Sequence, residues 1–543
     1  MDAKGLGESA TTILYREPSA KDEPAAETRL LDAVLASTRP ADTSAPPTVQ
    51  PTASAARLDG FLREPSPWRS LAAWLGLSPT APALPSRSEI TRSLSRDIAR
   101  IDGLINRQLN AIIHHPQYQR LEASWRGLQF LVDKIPDGGE GIKVKVLNIS
   151  WTEVSNDLTR ALEFDQSQLF KKVYENEFGH PGGEPLGIIL GDYEMHIRPA
   201  PGHPQNDLEV LSQMASVSAA AFAPFITSVD PSFFGLDSFN ELERPFDLAS
   251  TFEQPDYIKW RSLRQSADSR FLGLTLPRML MRIPHGTPGA PGAGSRFQEE
   301  SGGVGRGRSL WGNAAYAFGA VVMRSFANSG WPADIRGVRQ SLPDRAGNRV
   351  CLEDGGLVTG LPSQSFATDA SGVALKASTD VIITDAREKT LEDLGFIPLC
   401  HCQDTEFSAF YGNQSLQKPA KYDDPKATAN AKLSAMLQYI LCVSRFAHFI
   451  KVIARDQIGS MIRPEDVEEK LQAWLMKYTI SNDSAGPEVK AKYPLREARV
   501  RVRELAGAPG TYHCEIHLKP HFQLDQMQTA LKFTTELAPA RSS

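Results

Sequence analysis

Five groupings of residues have the types and spacing that chemistry could use, and each carries a different chemistry. His114 and His115 are adjacent imidazoles, the commonest nitrogen ligands for a transition metal, but they stand before a proline with no carboxylate or cysteine at ligand spacing. Asp192 and Glu194 in GDYE are two carboxylates at i and i+2. On a strand they share a face, as a general acid and base would. Arg261, Arg264, Arg270, Arg278 and Arg282 form a basic run suited to a phosphate or to ion pairs, and the acidic run near Glu241 and Glu243 supplies the expected partners. Gly303, Gly305 and Gly307 imitate a dinucleotide loop, yet no strand precedes them and no Lys-Ser or Lys-Thr follows. Cys400, His401 and Cys402 are a cysteine-histidine cluster, but neighbours on a strand point to opposite faces and do not wrap a cation. The expectation there is buried cysteines flanking an exposed histidine. No nucleophile elbow, Walker loop, zincin helix or paired cysteine site is present, so no catalytic residue, cofactor or metal is assigned.

The elements that hold these residues come next. KATANAKLSAMLQYILCVSRFAHFIKVIAR, residues 426–455, predicts one long core helix. Leu433, Met436, Leu437, Ile440, Val443, Phe446 and Ile450 recur at spacings of three and four on its apolar face. Polar groups on several turns exclude a membrane span. Residues 88–134 predict two helices, the first with the stripe Ile90, Leu94, Ile98, Ile101, Ile105, Leu109 and Ile112, which must pack on something. GIKVKVLNIS (141–150) and STDVIITD (378–385) predict strands, GIILGD (187–192) a short buried strand, and residues 152–163, 207–226, 311–325 and 464–479 helices. A strand-rich stretch is expected from Trp331 to Arg336. Strands alternating with helices imply a mixed α/β layer fold.

Two segments near the C-terminus, Ala498–Leu505 and Thr511–Leu518, flank GAPG and form the clearest hairpin pattern in the chain. Ala498, Val500 and Val502 face one way and Arg499, Arg501 and Arg503 the other, while Tyr512, Cys514, Ile516 and Leu518 alternate with polar residues. A hairpin alone is marginal in water, so this one needs further strands or a covering layer.

Composition bounds the class. Residues 1–87 are rich in Pro, Ala, Ser and Thr and read as a flexible arm, with short apolar islands at 28–36 and 67–77, the second carrying Trp68 and Trp74. The net charge of −5 on 59 basic and 64 acidic residues is near balance and predicts no nucleic-acid partner. Five cysteines, odd and sparse, argue for a reducing compartment rather than a disulfide framework. No basic patch followed by an apolar run marks a leader or anchor. The expectation is a cytoplasmic protein without membrane insertion.

NQSLQKPAKYDDPKATANAKLSAMLQYILCVSRFAHFIKVIARDQIG resembles the corresponding stretch of the large sheath subunit of bacterial type VI secretion systems. INRQLNAIIHHPQYQRLEASWRGLQFLV, LFKKVYENEFGHPGGEPLGIILGDYE and WGNAAYAFGAVVMRSFANSGWPADIRG are similar to other blocks of that family. The resemblance implies a contractile-tail-sheath-like subunit with helical layers on mixed sheets, divided into an arm (1–87), an outer body (88–425, with a Gly-rich loop at 286–308) and an inner domain (426–543). It implies a C-terminal hairpin that exchanges strands between subunits. It also implies partners: a small sheath subunit, identical copies in a helical lattice, an inner-tube protein, a baseplate, and a disassembly ATPase that supplies the nucleotide chemistry. A sheath of a phage-tail-like or extracellular injection system shares the physics, and a soluble α/β enzyme is the rival class.

Overall fold

The computed structural model describes residues 86–136, 141–338 (apart from 181, 245, 287–296 and 301–307), 354–367, 374–455 (apart from 403, 404 and 406), 463–504 (apart from 483 and 484) and 512–521, together with 63–67, 69 and 70. Most of both apolar islands, the Gly-rich loop and Gly303, Gly305 and Gly307 lie outside the described residues. The chain divides into two compact units, one of residues 1–121 and 284–301, the other of 122–283 and 302–543.

In the first unit, α1 (Arg87–Ile113) starts at a capping box, Ser86 accepting from the Glu89 amide while the Glu89 carboxylate reaches back to Ser86. Near its end Asn110 is buried and grips a distant segment, donating to the Gln298 carbonyl at 3.2 Å and accepting from the Glu300 amide at 2.8 Å. His114 pairs with Glu299 at 3.2 Å. Helix α2 runs from Pro116 to Asp133, its residues from 122 onward counted in the second unit, with the proline at its first turn where a missing N–H costs nothing.

The second unit is built on a six-stranded sheet. Its helices are α3 (Trp151–Arg160), α4 (Asp207–Ala221), α5 (Ile258–Gln265), α6 (Ala315–Ser329), α7 (Asp385–Asp393), α8 (Pro425–Ser434), α9 (Leu437–Arg455) and α10 (Pro464–Met476). Its strands are β1 (Ile189–Met195), β2 (Phe225–Val229), β3 (Leu272–Leu276), β4 (Met279–Leu280), β5 (Trp311–Gly312), β6 (Leu357–Val358), β7 (Gln364–Ala367), β8 (Ala374–Ala377), β9 (Ile397–His401), β10 (Ser408–Phe410), β11 (Leu495–Glu504) and β12 (Tyr512–Pro520). The large sheet has the order β1-β2-β3-β9-β10-β6, parallel from β1 to β9 and antiparallel beyond.

Both faces of this sheet are covered, which is why its strands read as nearly continuous apolar runs. Phe225, Val229, Leu272, Leu274 and Leu276 join one core with residues of α3, α4 and α5. Ile226, Ile397, Leu399 and Phe410 join another with residues of α6 and with Leu437 and Leu441 of α9. Gly273 makes the helix approach possible: a Cβ there would lie 2.6 Å from Ile226, 2.8 Å from Leu437 and 3.0 Å from Ile397.

The expected long core helix is two helices, because Ala435 and Met436 break it where Met436 bridges to Gln414. Met436, Leu437, Ile440, Phe446 and Ile450 are buried as expected, Leu433 and Val443 only partly. Helix α9 spans two cores. Its first turn serves the sheet, while Cys442, Phe446 and Ile450 enter a third cluster with Trp331, α10 and β11. Trp331 stacks on Phe446 with ring centroids 4.0 Å apart, so residues 331–336 form a packed connection and not the expected strand. Residues 378–384 are likewise buried connection rather than strand, with β8 ending at Ala377 before them.

Candidate assembly interface

The groupings that suggested chemistry are dispersed. Asp192 accepts hydrogen bonds from the hydroxyls of Ser124 and Tyr316, and loss of solvent around its carboxyl raises its pKa. Glu194 instead takes Arg278 in a two-pronged pair at 2.5 and 2.7 Å, an arrangement that uses up its oxygens. The two carboxylates expected to work together are each held by different elements. The arginines have partners from farther along the chain: Arg278 holds Glu194 and Asp230, Arg282 holds Glu122 at 2.7 Å, and Arg264 binds the carbonyls of Leu416 and Asp393. Burial lowers the Arg264 pKa to about 10. The sheet topology, bringing distant acids beside each arginine, overrides sequence proximity.

His401 is buried, not exposed, because β9 lies inside the sheet with a strand on either side. Its Nδ1 lies 3.2 Å from Ser378 Oγ and 3.4 Å from Ser408 Oγ, both hydroxyls fully enclosed, so this serine-histidine contact has no access to a substrate. Cys400 is buried and Cys402 partly so; Cys442 is buried and Cys514 exposed, and all four are free thiols.

One cluster escaped the sequence reading. His196, His203 and Asp207 bring ligand-type atoms together. The buried Asp207 carboxylate, however, receives Trp151 Nε1–H at 2.7 Å, the His196 amide at 2.7 Å and His203 Nε2 at 2.8 Å, and the two imidazoles stack 4.2 Å apart. With its lone pairs engaged, Asp207 anchors the 196–206 connection to the first turn of α4. Spacings of seven and four residues between these groups gave no motif to find.

What remains open is surface of another kind. On α1, Ile98 (48%), Ile101 (42%) and Ile105 (50%) are exposed, though they belong to the very stripe that predicts packing, and Leu104 (48%) beside them is exposed too. Tyr118 and Leu121 of the same unit are exposed too. Isolated apolar residues on a surface need no explanation, but a row along one helix does.

The C-terminal hairpin carries the second opening. β11 and β12 pair antiparallel with Val500 opposite Ile516 and Val502 opposite Cys514. Ala498, Val500 and Val502 are buried against α10, as their alternation predicts. Side chains of α10 cap β11 on its outer edge: Gln472 accepts the Val500 N–H at 3.0 Å and donates to the Ala498 carbonyl at 2.9 Å, and Glu468 accepts the Val502 N–H at 2.9 Å. Directly opposed antiparallel residues either exchange both bonds or neither. Since the Val500 and Val502 amides point to α10, those of Ile516 and Cys514 point away from β11. Among the described residues β12 has β11 as its one strand neighbour, in a two-stranded sheet, and its other main-chain edge meets no described strand.

No helix among the described residues is long and apolar enough to cross a membrane. Residues 95–417 match the family described as EvpB/VC_A0108, tail sheath N-terminal domain, and residues 426–537 match the EvpB/VC_A0108 tail sheath gpW/gp25-like domain. Over 459 residues the chain is 42% identical to the type VI secretion system sheath protein TssC1 of Pseudomonas aeruginosa, spanning 84% of this chain and 88% of that protein. Among solved structures, the anti-feeding prophage baseplate is similar over 73% of this chain and 83% of that one, at 10% identity and a TM-score of 0.34. The contracted sheath complex of the extracellular contractile injection system PVC is similar over 61% of this chain and 69% of that one, at 10% identity and a TM-score of 0.30. The chain belongs to the family of large contractile sheath subunits of bacterial type VI secretion systems.

Proposed function

We propose that this chain builds its sheath by main-chain pairing at the C-terminal hairpin, with β12 as the recruiting edge. The observation that carries this is the asymmetry of the hairpin: α10 side chains close β11, while the amides of Cys514 and Ile516 on β12 point outward. An extended strand from a neighbouring subunit satisfies such an edge, and main-chain bonds tolerate rotation of the protomers as the lattice contracts. Of the residues first assigned to strand pairing, Val500 and Val502 serve the fold in this reading. Cys514, Ile516 and Leu518 serve the lattice through their backbones, and Arg499, Arg501 and Arg503 are exposed on the face of β11 opposite Val500 and Val502.

The exposed stripe of α1 is the docking face for a helix of the small sheath subunit, since a row of isoleucines at spacings of three and four accepts the same pattern in a partner. A repeated heterologous contact then yields an open helix of copies rather than a closed ring. The sheath surrounds an inner tube, starts from a baseplate, works in the bacterial cytoplasm and is taken apart after contraction by an ATPase; these belong to the family reading. Residues 1–87 act as an arm, 88–425 as the outer body and 426–543 as the inner domain.

An enzymatic role finds little support, because the carboxylates that would carry it are held by Arg278, Ser124 and Tyr316. Co-expression with the small sheath subunit followed by negative-stain electron microscopy tests the proposal. Hollow tubes are expected. Discrete particles with no stable complex would return the enzyme reading to first place.

A further inference from the structure

Where β1 ends, the connection of residues 196–206 turns back onto the first turn of α4, and three ligand-type side chains meet there. His196, His203 and Asp207 each bring one donor atom within 4.8 Å of the others. A carboxylate has about four lone-pair positions, two on each oxygen. Two of those on Asp207 go to donors that belong to the frame, Trp151 Nε1–H on Oδ1 and the His196 amide on Oδ2, both at 2.7 Å. The other two face one point, and His203 Nε2 sits astride it, 2.8 Å from each oxygen. A single N–H satisfies that point. A second imidazole stands over it all the same: His196 stacks on His203 with ring centroids 4.2 Å apart, and its Nδ1 lies 3.9 Å from Oδ2. The Asp207 side chain is fully enclosed, while those of His196 and His203 are 19% and 20% exposed, so the point is reached from solvent on the imidazole side.

We propose that this cluster binds a divalent transition metal of the Zn²⁺ class through His196 Nδ1, His203 Nε2 and the Asp207 carboxylate. Two imidazoles and one carboxylate suit such an ion, whereas Mg²⁺ and Ca²⁺ take sets made of oxygen. Ligand atoms held at about 2.0–2.2 Å from one Zn²⁺ stand roughly 3.2–3.6 Å apart across a tetrahedral angle. The separations of 2.8 and 3.9 Å fall on either side of that range, so His203 draws back and His196 draws in to close the site. Only exchangeable contacts are given up. They are the His203 bond to Asp207 and the 3.2 Å contact of His196 Nδ1 with the Glu194 carbonyl. Each neutral imidazole gives one nitrogen lone pair to the cation and keeps its proton on the other nitrogen, so no proton is lost. For His203 that is Nδ1, which makes no hydrogen bond among the described residues. For His196 it is Nε2, 3.7 Å from Asp230, an acid itself fixed by the Ser232 amide and by Arg278. An outer carboxylate behind a ligating imidazole is the usual way in which such a ring is oriented, and Trp151 orients Asp207 in the same sense. Water fills the remaining position from the exposed side. The ion acts as a staple between the end of β1 and the start of α4.

Metal analysis of the full chain, purified with the small sheath subunit and without a histidine tag, tests this. The complex is stripped with a chelator, dialysed against Zn²⁺ and assayed for retained metal. The expected result is one equivalent of Zn²⁺ beyond that held by the His196→Ala/His203→Ala double variant, which subtracts any metal bound by the small subunit. Either single alanine substitution is expected to weaken binding at least about a hundredfold. His517→Ala, which removes an exposed imidazole of β12, is expected to leave it unchanged. Equal metal in the unchanged and double-variant complexes is adventitious surface binding and overturns the proposal, as does failure of the unchanged complex to retain any. Co²⁺ reads the ligands without a substitution. Bound to the unchanged complex it is expected to give a shifted and intensified visible band, and the spectrum of the aqueous ion would overturn the site even if the alanine variants fail to fold. His203→Cys exchanges one ligand for another and locates the ion. It is expected to restore Co²⁺ binding lost in His203→Ala and to add a sulfur-to-cobalt band in the near ultraviolet; binding without that band places the ion elsewhere and overturns the assignment.

Discussion

Gln472 closes the outer edge of Val500: its side-chain amide accepts the Val500 N–H and returns a donor to the Ala498 carbonyl, as a neighbouring strand would. The hairpin is thus one-sided, and prolines on its two strands should act differently. Val500→Pro removes a bond to α10 inside the chain and should destabilise the C-terminal cluster by about 2–3 kcal/mol. Ile516→Pro removes an outward amide and leaves the β11 ladder untouched. The expected outcome is normal heterodimer with no tubes for Ile516→Pro, seen by electron microscopy, and a lowered melting temperature before any assembly defect for Val500→Pro. Tubes from Ile516→Pro would move the lattice contact off β12.

The α1 stripe predicts behaviour without a partner. Four large apolar residues in one row on a single helix favour self-association of the isolated chain. Purified alone it should sediment as aggregate. Replacing Ile98 and Ile105 by serine should raise the soluble fraction several-fold and at the same time abolish recovery of the small subunit. A variant that becomes soluble yet still binds the partner would place that interface elsewhere.

Much of this was legible in the sequence, and the exceptions share a cause. The period of α1 and α10, the hairpin alternation and the strand at 187–192 were readable because each is a local pattern, whereas the helix expected over 207–226 ends at Ala221 and gives way to β2. The exposure of His401, the partners of the arginines and the strand predicted over 141–150, which joins no sheet among the described residues, were misread because each depends on which element lies alongside. Sequence places Val144 on a strand face; it does not say that no strand stands next to it. The Asp207 anchor needed donors from α3 and from two points of the 196–206 connection, and no spacing announces that.

Close backbone approach gives a stability prediction. Gly356 packs where a Cβ would meet the Phe410 carbonyl oxygen at 2.1 Å, and its own carbonyl accepts the Phe410 amide at 2.9 Å. A backbone oxygen cannot step aside as a flexible side chain can. Gly356→Ala should therefore cost about 2–4 kcal/mol, read as an earlier midpoint in chemical denaturation of the heterodimer. A cost below about 0.5 kcal/mol would mean that the β6–β10 contact is loose.

Glu388 predicts a pH dependence. Burial is the main cause that lifts its carboxyl to about 7, with Glu392 and Asp385 adding repulsion against the opposing pull of Arg336 and Lys389, and its Oε1 is buried without a hydrogen-bond partner. In the unfolded chain the same group titrates near 4.5. Between those values the folded state holds a proton that the unfolded state has released, so folding stability falls as pH rises from about 4.5 through 7. Above that window the charged carboxylate sits unbonded among other acids. Glu388→Gln keeps the shape and removes the titration. It should leave stability at pH 4.5 nearly unchanged and raise it at pH 8 by about 1–2 kcal/mol, after allowing for solvent screening of a partly exposed group. Denaturation midpoints of both forms across this range check it: parallel curves would show that Glu388 titrates alike in the folded and the unfolded chain.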